Sequence, residues 1–145
     1  MTLPLWMLLG FAVWTLLVLC AGVGVYRWRL IFRGKADLTS FPGDIAHGSN
    51  ANRRAVRAHA NCVENLPVFA AIILAGAAAH LHPPGTDGLS VATLAARMVQ
   101  TSIHMLFPET NLSIAFRFSF FSVQLLAMLA MAALLARAAL GSGLL

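Results

Sequence analysis

The sequence predicts an all-α integral membrane protein, a four-helix bundle, and three observations predict it. The 145 residues are 59% hydrophobic and only 10% charged, with a mean hydropathy of +0.79. Soluble domains carry about 25% charged residues, so this composition belongs in lipid. Four stretches are long and apolar enough to cross a bilayer core of about 30 Å, which takes roughly 20 helical residues. Proline and glycine clusters separate the later stretches, as expected of helical hairpins.

The first span covers about residues 3–26 and has no charged side chain. It lacks a basic region before it, its apolar stretch is too long for a signal peptide, and its positive charge follows it, so it reads as a retained helix. The second span, about 54–81, is polar only in its opening turns. The third covers about 89–107 and the fourth about 111–136, with the breakers "HPPGTDG" (82–88) and "FPET" (107–110) between spans. Seven of the ten basic residues, Arg27, Arg29, Arg33, Lys35, Arg53, Arg54 and Arg57, lie in or beside the first loop. The positive-inside rule places that loop in the cytosol and both termini on the opposite side. No internal repeat appears, and residues 1–145 read as one domain.

Several sequence features are read as structural. The pI of about 10.7 raises nucleic acid as a partner, but the basic residues flank apolar spans and no soluble basic domain remains to grip phosphates. Cys20 and Cys62 lie inside apolar runs and read as packing residues, not as a disulfide or thiolate metal site. His80 and His82 form an H-x-H pair without further ligands nearby, which fits interfacial histidines better than a metal. Gly22 and Gly24 lack the strand-to-helix context of a phosphate cradle and read as close-packing positions. The polar first loop, "RGKADLTSFPGDIAHGSNANRR", reads as a solvated connector.

The chemistry lies on three polar stripes. At about 100° per residue, Arg54, Arg57, Asn61 and Glu64 fall within an arc of roughly 80° on the second helix, with His59 pointing elsewhere. The third helix repeats the arrangement with Thr93, Arg97, Gln100 and His104, and the fourth with Ser113, Arg117 and Gln124. An ionised group facing lipid at the bilayer centre costs about 2.5–3.5 kcal/mol, so Arg57, Glu64, Arg97 and Arg117 are expected to face protein or a wet cavity. At about 1.5 Å per residue from the cytosolic ends, Arg57 lies near the mouth, Arg117 about 10 Å in, and Glu64 and Arg97 about 15 Å in. The stripes can therefore line a single cytosol-facing cleft.

Three arginines (Arg57, Arg97, Arg117) against one glutamate (Glu64) leave that cleft at +2. A buried surplus of charge is costly without a counter-ion. One reading fills the cleft with a small anion that has a polar body. The other is a structural network, with Glu64 paired to Arg97 and Arg57 snorkelling to headgroups.

The segment "RAHANCVENLP", with its R-x-x-x-N-x-x-E-x-x-P pattern on a second span after a basic loop, resembles the MAPEG family (membrane-associated proteins in eicosanoid and glutathione metabolism). The resemblance extends over the whole chain in length, span count and loop placement. It implies a homotrimer that binds glutathione, a net anion, between neighbouring subunits on the cytosolic side. Arg57, Asn61 and Glu64 match the family's glutathione-holding residues, with Glu64 taking the ligand's ammonium. Arg97 matches an arginine of the family's third helix, and Gln100 and His104 stand where family enzymes often have histidine or tyrosine. Arg117 corresponds to the arginine that activates the thiol, although its separation from Arg97 is a few residues longer than in the mammalian enzymes.

The task so implied for Arg117 is modest. A thiol with a pKa of about 8.5 is only a few per cent thiolate at pH 7, and a downward shift of about two units, worth about 2.7 kcal/mol, makes it mostly thiolate. The resemblance thus implies a glutathione-dependent transferase or peroxidase acting on a lipophilic small molecule from the bilayer. A non-catalytic lipid-binding or scaffold protein of the same fold is the alternative, and the lack of tyrosines on the third helix favours it. A small transporter is disfavoured by the absence of inverted repeats and broken helices.

Overall fold

The computed structural model describes residues 1–35 and 49–142. Most of the first loop, and with it the reading of that loop as a solvated connector, lies outside the described residues. Among those described, the chain forms four helices and no strand: α1 (Leu3–Phe32), α2 (Asn50–Ala78), α3 (Thr86–Leu106) and α4 (Asn111–Gly141).

Helix α1 starts with Pro4 in its first turn, where the missing N–H is no loss. Its middle, Leu19–Gly24, widens into a π-helical turn, in which the Val25 N–H reaches back to the Cys20 carbonyl. Gly22 lies in this turn at the closest approach to the bundle. A Cβ there would stand 3.0 Å from the Ala55 Cβ and 3.1 Å from the Met105 Cε. The expected packing role therefore holds for Gly22. Gly24 differs, since a Cβ there would meet only the Leu19 carbonyl at 3.5 Å. The two cysteines also divide: Cys62 is a core residue, whereas Cys20 is exposed on the outside of the chain.

Helix α2 is capped by Ser49, whose hydroxyl accepts from the Asn52 N–H at 3.2 Å. Gly85, with φ of 95°, turns the chain into α3. Helix α4 opens with a reciprocal capping box between Thr110 and Ser113. Ser113 therefore belongs to the cap and leaves the polar stripe assigned to it, its hydroxyl donating to the Pro108 carbonyl at 2.8 Å.

The element boundaries differ from the expected spans by a few residues, with α1 continuing to Phe32 and α4 to Gly141 beyond their apolar stretches. Three helices, α1, α2 and α4, are long and apolar enough to cross a membrane. Helix α3 does not qualify on composition, although a fourth span was expected there. Its polar side chains Ser90, Thr93, Arg97, Gln100, Thr101 and His104 are all buried. Helix α3 touches each of the other three, so its polar face is covered by protein. Large apolar side chains such as Trp6, Leu16, Phe118 and Leu126 point outward. This pattern suits a lipid solvent, in which polar groups turn inward. Phe11, Cys62, Phe69, Ile73, Met128 and Met131 form the apolar core, with the Phe11 and Phe69 rings 5.7 Å apart.

Candidate functional site

The four-residue and three-residue spacing of α3 stacks Thr93, Arg97, Gln100 and His104 on one side, and that side faces into the bundle. Thr93 satisfies its hydroxyl on its own helix, donating to the Leu89 carbonyl at 2.8 Å. Arg97 is 1% exposed. Its guanidinium lies over the Phe11 ring, 5.6 Å from the centroid, an arrangement that favours a cation. Its Nε and Nη2 have no hydrogen-bond partner, and among the described residues no carboxylate is within ion-pair distance of it. Cys62, through a side-chain hydrogen bond as well as charge, and Glu64 are the groups that act on it. The Cys62 Sγ itself lies 3.5 Å from the Thr101 hydroxyl.

The same interior holds further unsatisfied groups. Gln100 Oε1, His104 Nε2 and both ends of the Gln124 amide are buried without partners. Buried polar atoms are nearly always paired with protein, water or a bound group. This seam therefore has unused donors and acceptors for several polar atoms of a guest, beside the buried Arg97 cation.

The remaining arginines lie toward the basic end of the bundle. Arg117 is half-buried on α4, two turns below the Thr110 cap. The charges of Arg117, Glu109, Arg57 and Arg54 all bear on the His104 ring. Arg57 Nη1 and Glu109 Oε1 are 3.9 Å apart, with side chains 66% and 49% exposed. An ion pair this long and wet contributes little to stability. Asn50, Arg53, Arg54, Arg57, Pro108 and Glu109 line an open recess of about 360 Å³.

The chain thus gathers Arg57, His104 and Arg117 at one end, with Arg97 and Gln100 further inside. Asn61 is half-buried and Glu64 is exposed on α2, and neither lines that recess. Within one chain, the three stripes do not close into one cleft. Glu109, not assigned to the site from the sequence, is the carboxylate that meets Arg57; its position directly before the α4 cap was the available signal. Thr101 and Cys62 were also missed as partners, because neither lies on a charged stripe.

The MAPEG family model matches residues 4–137 of the chain. No curated protein and no solved structure matches it. The matched region includes all of the first helix but Leu3, the whole of α2 and α3, α4 as far as Arg137, and every residue of the seam and recess. On that match the chain belongs to the MAPEG family, membrane proteins of glutathione-related and eicosanoid metabolism.

Proposed function

We propose that the protein is a glutathione-dependent membrane transferase or peroxidase acting on lipophilic electrophiles. The observation that carries this reading is the buried Arg97 guanidinium, with two unpartnered nitrogens, on the same helix face as His104, which feels the charges of Arg54, Arg57 and Arg117. Such a surplus is costly in a low-dielectric interior until an anion enters. A tripeptide with two carboxylates and one ammonium fits it. The arginines hold carboxylates, the free Gln100 and His104 atoms take peptide groups, and Glu64 takes the ammonium. Glutathione supplies a thiol nucleophile when bound. Arg117, half-buried and near the α4 N-terminus, stabilises negative charge at the sulfur through its own cation and the helix dipole.

Glu64 enters this scheme through self-association. An exposed carboxylate well within an apolar helix is unfavourable against lipid. A second copy packed on α2 covers it and sets it beside that copy's arginines, as a homotrimer with intersubunit sites requires. Membrane lipids surround the remaining apolar faces and deliver the lipophilic substrate.

The test is conjugation of glutathione to a chloronitroaromatic, and reduction of a lipid hydroperoxide, by purified protein and by Arg117→Ala. The expected result is a loss of at least about tenfold in the variant, with the wild-type thermal shift by glutathione retained. Equal activity in both proteins would remove Arg117 from the mechanism. A second reading, a non-catalytic lipid-binding or scaffold protein, is favoured by one observation: Gln100 and His104 are enclosed within the chain. Under that reading millimolar glutathione leaves the melting temperature unchanged.

A further inference from the structure

Gln124 is a residue of the polar stripes to which the glutathione reading gives no role. It stands on α4 seven residues beyond Arg117, two helical turns and about 10 Å deeper in the bundle. It is 0% exposed, and both ends of its amide lack a hydrogen-bond partner. A primary amide carries two N–H donors and an acceptor oxygen, and sealing it away unpaired is costly.

Gln124 and Arg97 border the same packed cluster. The Arg97 guanidinium lies 5.6 Å from the Phe11 ring centroid and is hydrogen-bonded to Cys62. Phe11, Cys62 and Met128 belong to one buried core. Met128 follows Gln124 by one helical turn, so the two side chains leave α4 on the same side. Helices α3 and α4 pack against each other and run antiparallel across a short connection. Arg97 stands nine residues before the end of α3 and Gln124 thirteen after the start of α4, which sets Gln124 about 6 Å deeper. The Arg97 side chain leans toward its own helix N-terminus, and so toward that level.

The chemistry of these groups selects an occupant. Arg97 Nε and Nη2 are buried without acceptors, and no carboxylate is within ion-pair distance among the described residues. A water molecule pairs with an amide but leaves the charge in place. An anion answers both, accepting charge-assisted hydrogen bonds from the guanidinium and a further one from the amide. Its size is set by the surroundings: Arg97, Cys62, Thr93, Thr101 and Gln124 are each at most 2% exposed. A monoatomic halide needs about the room of one buried water, which folded interiors commonly hold.

We propose that Arg97 and Gln124 hold a chloride ion between α3 and α4. The site does not depend on the glutathione reading; under that reading a glutathione carboxylate displaces the ion from Arg97. The experiment uses the full chain purified in detergent with gluconate as the only anion, and bromide as the probe. At constant ionic strength bromide and chloride are expected to raise the melting temperature over gluconate and sulfate, saturably. Gln124→Leu is expected to keep its melting temperature in gluconate and to weaken the halide Kd at least about tenfold, the scale of one hydrogen bond to a charged group. Arg97→Met is expected to lose the halide response, and Arg29→Gln, at an exposed position, to retain it. In crystals of the wild-type protein, anomalous scattering at the bromine edge is expected to place one ion within hydrogen-bond reach of both side chains, a result that needs no variant to fold. Equal melting temperatures in halide and gluconate, as an interior filled only with water gives, a halide response kept in full by both interior variants, or bromide confined to exposed arginines would each overturn the proposal.

Discussion

Arg97 carries two demands that a single substitution separates. As a buried cation without an ion-pair partner among the described residues, it weakens the bundle. As a donor with unused nitrogens, it is ready for an anion. Replacing a buried charge with an apolar side chain of similar reach is often neutral or stabilising, by about 1–4 kcal/mol. Arg97→Met is therefore expected to unfold at the same or a higher temperature without ligand and to lose stabilisation by glutathione. A fall in apo stability would instead mark the guanidinium as part of a structural network. Glu64 provides the complementary case. It is exposed within one chain, so Glu64→Gln is expected to change the intrinsic stability of the chain by less than about 0.5 kcal/mol. The glutathione-induced thermal shift, measured in the same experiment, is expected to disappear.

Helix ends and close approaches account for much of the local order. The Thr110 cap sets where α4 begins and so where Arg117 stands. Thr110→Ala is expected to lower the unfolding free energy by about 1 kcal/mol in denaturant titrations, and to reduce conjugation activity because the recess shifts with the helix end. The two glycines of the π-helical turn should respond oppositely. Gly22→Val forces the side chain into Ala55 and Met105 and is expected to cost about 1–3 kcal/mol. Gly24→Ala meets no such obstacle and is expected to be neutral or stabilising by up to about 1 kcal/mol. Thermal unfolding of both variants in one detergent decides the contrast. The breakers before α3 and α4 were legible because proline and glycine act locally. The π-helical turn was not, since widening one turn of α1 depends on what the neighbouring helices place against it.

The bundle is inverted relative to a soluble one: α3 holds its polar face inside, while α1 and α4 show apolar faces outward. Glu64 on the outer face of α2 breaks that pattern, and the proposed self-association is what would cover it. Native mass spectrometry from mild detergent is therefore expected to show a trimer. A protein that is monomeric throughout and still shows the full glutathione shift would remove the intersubunit placement of the site. The family match over residues 4–137 agrees with the resemblance carried by "RAHANCVENLP", whose spacing depends only on one helix.

Membrane class, helix number and the identity of the charged stripes were readable from the chain alone. They follow from hydropathy and from a period of 3.6 residues, both local properties that survive without knowledge of any neighbour. Which stripe is enclosed was a tertiary matter. Arg97 and Glu64 look equivalent along the sequence, each an ion in an apolar helix at similar depth. They separate because α3 is surrounded by three helices, whereas the Glu64 face of α2 lies outside them. The closure around Gln124 is tertiary for the same reason. Its spacing from Arg117 puts it on a polar stripe, but only the packing of neighbouring helices decides that its amide is sealed from solvent without a partner.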